Sequence, residues 1–268
     1  MINGTDDLRI ERSGPVLVLT IDRPERGNAL DGATMQTLLD VLDSLAADPG
    51  DVRAVHLRSE GKHFCTGADI SSSGSRAASK PAVGHMLRSL GTGPNRLVDA
   101  LWHCRLPVVA ELTGRTSGLG LHVALACDLT VAAVGATFAE PFADRGFNVD
   151  SGGSWLLPRF IGLTNAKRML FTGSVVDSRT ATKWGLISEV VDDDRVQARA
   201  AELALELASG ATFAVGTMKN LVHRNLTGSL ADAMERESSA VELSIRSDDF
   251  KEGMKAFVDK RRPDFTGR

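Results

Sequence analysis

The chain has 268 residues, 43% of them hydrophobic, with 31 Lys and Arg against 34 Asp and Glu for a formal net charge of -3. That apolar content suffices for a sizeable core, and the absence of a basic block argues against a nucleic-acid partner. No apolar run reaches bilayer-spanning length and MINGTDDLRIERSG is too polar for a signal or transit peptide, so no membrane association is expected and the location is read as cytoplasmic.

In chain order, LRIER and PVLVLTI flank Ser13-Gly14 and read as a hairpin. Asp31 is placed to cap a helix running to about Asp48, with Met35, Leu38, Leu39, Leu42 and Leu45 on one face, and Pro49-Gly50 ends it. VRAVHLRS (52–59) reads as a buried strand, and GKHFCTGADI (61–70) as the loop leaving its carboxyl end, where open α/β folds place their ligands. The polar stretch 71–81 reads as an insertion, and a weakly amphipathic helix follows to about Cys104. PVVAEL (107–112) is a second core strand, TGRTSGLG a loop, and LHVALACD a buried helix, with further strands at 128–133 and around Phe138.

The segment FAEPFADRGFNVDSGGSWLLPRFIG (138–162) carries the most chemical interest. Asp150 precedes Ser151-Gly152-Gly153-Ser154 and a helical run through Trp155, Leu156, Leu157, Phe160 and Ile161. Two readings are open: Asp150 as the helix N-cap, or as a carboxyl whose pKa apolar neighbours raise toward a value useful for proton transfer. From Thr164 onward the pattern is helical, with LISEVV (186–191) as its one expected strand. The expected organisation is a mixed core over 1–195 and a helical region over 196–268.

Cys65, Cys104 and Cys127 are odd in number and lack CxxC spacing, so free buried thiols are expected and a disulfide framework or a metal site is not. CTGADI and TSGLGLH match neither the P-loop nor the dinucleotide glycine pattern. Two N–H groups from two such loops would instead make an oxyanion hole, which suits chemistry beside a thioester. Trp155 and Trp184 are read as core residues, His63 and His103 as ordinary polar residues at element edges, and Asp192-Asp193-Asp194 as a solvated turn.

Together, RPERGNAL, HFCTGADI, GLGLHVALACDL, KWGLISEVV and EGMKAFVDKRRPDFTGR make the chain resemble the crotonase superfamily, the enoyl-CoA hydratases and isomerases, over nearly its whole length. The resemblance implies a crotonase-like α/β fold of ββα repeats, with C-terminal helices that complete the pocket and support a homotrimer or a dimer of trimers. It implies an acyl-CoA thioester substrate and no cofactor beyond the CoA that the substrate carries. Carried over by position, the oxyanion N–H groups fall on Ala68 and Leu119. CoA contacts fall on Ala68, Asp69, Ile70, Ser71, Phe257 and Lys260, although Asp69 by itself reads as a loop-fixing carboxylate.

The two glutamates with which hydratases of this family activate water fall on His122 and Phe142. Phe142 cannot transfer a proton. His122 has a suitable ordinary pKa but is one group where hydration uses two, and Glu140 would need a shifted loop to compensate. Asp150, in a DSGGSW context that looks like that of 1,2-epoxyphenylacetyl-CoA isomerases, is therefore the expected acid/base of a double-bond isomerisation. The alternatives are a hydratase with an atypical acid/base set, and an acyl-CoA-binding protein without chemistry. Phe142, Phe147, Trp155 and Leu119 hint at an apolar or aromatic acyl group.

Overall fold

The apolar alternation of the first two segments closes into the expected hairpin: β1 (Leu8–Ser13) pairs antiparallel with β2 (Val16–Ile21), Ser13 opposite Val16 and Leu8 opposite Ile21. The structure is a computed structural model that describes residues 4–69 and 82–267. The expected insertion at 71–81 lies outside the described residues.

Parallel to β2 run β3 (Ala54–Ser59), β4 (Val108–Leu112), β6 (Leu129–Ala133) and β9 (Glu189–Val191), giving the order β1-β2-β3-β4-β6-β9. All five residues of β4 are buried, as expected of a central parallel strand covered on both faces. A smaller sheet orders β5 (Arg115–Ser117), β7 (Thr137–Ala139) and β8 (Val176–Asp177). Two of these three strands depart from the sequence reading, which has a loop over β5 and no strand at β8. They are three and two residues long and mostly polar, too short for a period-two pattern to register.

Helix α1 (Gly32–Ala47) begins where Asp31 accepts the Thr34 backbone N–H at 2.8 Å, and its expected apolar face is buried throughout. The helix expected to reach Cys104 is two, α2 (His85–Thr92) and α3 (Pro94–Trp102), because Gly93 leaves helical geometry and Pro94 suits a first helical turn. Helix α4 (Leu119–Ala126) is buried on every side, the signature of a helix inside the core. Helix α5 (Gly153–Thr172) absorbs two expected helical segments and is kinked at Gly162 (φ 72°, ψ 165°).

After α6 (Ser178–Trp184) the chain enters β9, then α7 (Val196–Ala208). Ala200, Ala204 and Ala208 recur every fourth residue and are wholly buried, so α7 lies close against β3, β4 and β6. Helices α8 (Thr212–Arg224), α9 (Leu230–Ser244) and α10 (Asp248–Asp259) complete the described chain. They leave Met218, Val222, Leu230, Met234, Val241 and Phe250 exposed. Among the described residues no helix is long and apolar enough to cross a membrane.

Replacing Asp31 by Ala removes the α1 cap, which alone costs about 1 kcal/mol of unfolding free energy, and also one carboxylate partner of the buried Arg23, so a larger total loss is expected. Urea denaturation of the variant beside the parent checks this.

Candidate active site

The loop after β3 is fixed from below by RPERGNAL. Asn28, buried with φ 56°, accepts the Arg23 backbone N–H on Oδ1 at 2.8 Å. Its Nδ2 donates to the Glu60 carbonyl at 2.8 Å and the His63 carbonyl at 2.5 Å. The buried Arg23 guanidinium meets Asp69 at 3.0 Å and Asp31 at 3.1 Å. The Leu30 N–H bonds the Gly67 carbonyl and the Asp69 N–H bonds the Leu30 carbonyl, a parallel bridge about Ala68. In such a bridge the flanking residues supply the bonds to Leu30, so Ala68's own N–H points to the opposite side.

That loop leans on the chain that opens α4. Cys65 and Thr116 form a second parallel bridge, with Cys65 N–H to Arg115 O and Ser117 N–H to Cys65 O. Gly120, in the first turn of α4, sits so close that an added Cβ would fall 2.3 Å from the Cys65 carbonyl oxygen. Leu119 is the first residue of α4, so its N–H has no partner within the helix. Two loops distant in sequence are thus held together at the N-terminal end of a buried helix.

One turn into α4, His122 meets the residues after β7. His122 and Glu140 are both 0% exposed, with Nε2 3.1 Å from Oε1. The ring N–H is not aligned along this contact, and neither ring nitrogen nor either carboxyl oxygen has an aligned hydrogen-bond partner among the described residues. Burial pushes the Glu140 carboxyl above its ordinary 4.5, with the charge of Asp150 adding to the rise and His122 opposing it. The Phe142 ring lies nearly parallel to His122 with centroids 5.9 Å apart, and Phe147 lies 6.3 Å beyond Phe142. Gly153 closes the far side: a Cβ there would fall 2.2 Å from His122 Nε2.

Of the two open readings of Asp150, the structure does not bear out the helix cap. The N-cap of α5 is Gly152 (φ 81°), with no side-chain cap bond, because Ser151 (φ 47°) and Gly152 turn the chain through two left-handed residues after Asp150. The Asp150 carbonyl receives the Gly153 N–H at 2.9 Å, while its carboxylate accepts the Ser151 hydroxyl at 2.7 Å and its side chain is partly exposed. Glu140 lies against His122 with its loop as it stands. Phe138 and Glu140 are both fully buried two residues apart, so a strand period carried one residue past β7 would have pointed Glu140 inward.

The structure brings Ala68, Leu119, His122 and Asp150 into neighbouring elements, with Asp69 engaged by Arg23 as a loop-fixing carboxylate. Ile70 and Ser71 lie outside the described residues. Phe257 stands 80% exposed on α10, and Lys260 is its left-handed C-cap (φ 54°). Trp155 is less buried than expected, 37% exposed, edge-on to Trp102 at 5.2 Å with the Arg159 guanidinium 3.8 Å over its ring. A surface cavity of about 630 Å³ lined by Val134, Arg179, Val190 and Arg195 shares no residue with these loops. Among the described residues no His, Cys, Asp and Glu cluster has the makeup of a metal site.

The sequence profile of the enoyl-CoA hydratase/isomerase family matches residues 11–268. A probable enoyl-CoA hydratase of Rhodobacter capsulatus is 34% identical over 97% of this chain and 98% of its own. The 1,2-epoxyphenylacetyl-CoA isomerase of Escherichia coli K12 is 33% identical over 94% of this chain and 95% of its own. The crystal structure of a putative enoyl-CoA hydratase/isomerase from Mycobacterium abscessus superposes with a TM-score of 0.91 at 35% identity, covering 97% of this chain and 100% of that one.

Gly120→Ala is expected to force α4 off the Cys65 loop and cost about 1–3 kcal/mol or more, read as a lower Tm. The thiols of Cys65, Cys104 and Cys127 are buried, and burial pushes Cys65 up to about 12. A thiol reagent is expected to label none of them in the folded protein and all of them in denaturant.

Proposed function

This chain belongs to the enoyl-CoA hydratase/isomerase family and has its crotonase fold, and from that premise we propose that it isomerises the double bond of an enoyl-CoA thioester with Asp150 as acid/base. The observation that carries this reading is the freedom of the Asp150 carboxylate from helix capping: a neighbouring hydroxyl is its bonded partner and Gly152 is the cap. The other positions that bear acids in hydratases of the family support it. Phe142 has no proton to give, and His122 is buried against Glu140.

In the proposed reaction the Asp150 carboxylate removes a proton from the carbon next to the thioester carbonyl. The C–H electron pair becomes the enolate double bond and negative charge moves onto the thioester oxygen. The N–H groups of Ala68 and Leu119 stabilise that oxygen, and losing one such donor costs roughly 10²- to 10³-fold. Asp150, now protonated, returns the proton two carbons further along the acyl chain, so the double bond moves and no cofactor is consumed. Ala68, Asp69, Ile70 and Ser71, with Phe257 and Lys260, are the proposed CoA contacts, Lys260 as a point charge for a phosphate. The exposed apolar side chains of α8, α9 and α10 support assembly as a homotrimer or a dimer of trimers.

Asp150→Asn is expected to lower 3-enoyl-CoA to 2-enoyl-CoA turnover by on the order of 10²- to 10⁴-fold while acyl-CoA affinity stays within a few-fold. Turnover unchanged by the substitution sinks the mechanism. Hydration is the second reading, favoured by the similarity to the probable enoyl-CoA hydratase of Rhodobacter capsulatus. Loss of the conjugated absorbance of crotonyl-CoA on addition of the protein would establish it. Binding of acyl-CoA thioesters with no turnover of any would favour a binding protein without chemistry.

A further inference from the structure

The proposed mechanism leaves two buried His–Glu pairs unused, His56 with Glu111 between β3 and β4 and His122 with Glu140, and the second adjoins the Asp150 turn. His122 and Glu140 are wholly buried, 3.1 Å apart, and have no aligned hydrogen-bond partner among the described residues. Phe142 covers one face of the imidazole and Gly153 abuts its Nε2, so both groups are shut away from bulk water. The carboxyl is also near enough to Asp150 to feel its charge. The other charged side chains on the elements packed against α4 are Arg96 and Asp99 on α3, Arg115 on β5, and Arg159, Lys167 and Arg168 on α5, all exposed.

The proton count of such a pair is restricted. A bare carboxylate beside a neutral imidazole would be an uncompensated buried anion, and a doubly protonated pair an uncompensated buried cation. Each carries a desolvation cost that a pair holding a single proton avoids, whether that proton sits on nitrogen or oxygen. We infer that His122 and Glu140 form a proton-holding pair that keeps the buried charge behind Asp150 at zero. Both are positioning residues: they act on the reaction through Asp150.

Two measurable consequences follow, and the first is independent of any substrate. Above the ordinary histidine pKa of about 6.5 the unfolded chain carries no proton on either group, while the folded pair carries one. Protons bound in excess by the folded state make stability fall as pH rises, so this pair raises the unfolding equilibrium constant about tenfold per pH unit until it releases its proton. The second consequence rests on the reading of Asp150 as the acid/base. Release of that proton places a second negative charge beside Asp150 and the forming dienolate, so kcat/KM falls along an alkaline limb.

The experiment compares the parent protein with Glu140→Gln, Glu140→Asp and Asp150→Asn at fixed protein concentration. Urea unfolding is followed from about pH 7 to 8.5, the span in which the one-proton difference operates, and pH profiles of kcat/KM are taken with a 3-enoyl-CoA. Glu140→Gln is expected to lower the pH slope of stability by one proton relative to the parent and to remove the alkaline limb, while cooperative unfolding is retained. A parent and Glu140→Gln with the same pH slope overturn the inference. If Glu140→Gln does not fold, Glu140→Asp decides: it keeps a carboxyl one methylene shorter, so its alkaline limb is expected to be present but displaced, and an unmoved limb overturns the inference. Asp150→Asn separates the two readings. Turnover surviving in it removes the base assignment and leaves the stability slope standing, whereas its inactivity alongside an unchanged slope in Glu140→Gln removes the pair and leaves the base.

Discussion

The buried Arg23 guanidinium, held between Asp69 and Asp31, is the contact on which the candidate site depends. A charge in that position is tolerable only when its partners are close, and each partner belongs to a different element: one caps α1, the other ends the loop after β3. Breaking such a pair on one side leaves the remaining charge uncompensated, which is why one-sided loss of a buried ion pair is far more damaging than loss of a surface one. Asn28 adds a second tie by bonding the Glu60 and His63 carbonyls of the same loop. The direction of the Ala68 N–H is therefore set by residues about forty positions earlier in the chain, and Phe64, wholly buried in the core, anchors the same loop.

From that fixed loop the geometry passes to α4 through a close backbone approach, and from α4 to the Asp150 turn through His122. Shape and charge are separate at each step. Gly120 and Gly153 set how near the elements lie, while Arg23, His122 and Glu140 set what the local field is. A site divided in this way can exchange its acids while its scaffold stays the same, as Phe142 standing in a ring stack with His122 illustrates.

The fold was legible in the sequence wherever the pattern was long. The α1 face follows from periodicity, the hairpin from two apolar runs about Ser13-Gly14, the buried strands β3 and β4 from their apolar content, and the Asp31 cap from a single well-placed carboxylate. Strands β5 and β8 were not legible, because two or three polar residues carry no period and owe their pairing to the neighbouring β7. At the site, the residue types and their order pointed to the two loops and to Asp150. The cap reading of Asp150, one of the two left open, fails for a local cause: Ser151 and Gly152 both take left-handed backbone, which delays the helix start beyond the reach of the Asp150 side chain. The meeting of His122 with Glu140 joins positions eighteen residues apart through a strand and a turn, which spacing along the chain does not reveal.

Gly153 bears on which residue can stand at 122 as well as on how the elements pack. With the imidazole of His122 where it is, a methyl group at 153 would occupy the space of Nε2. The His122 ring in this rotamer and a side chain at 153 exclude one another. The two positions are thus sterically coupled, and a side chain at one requires the other to give way.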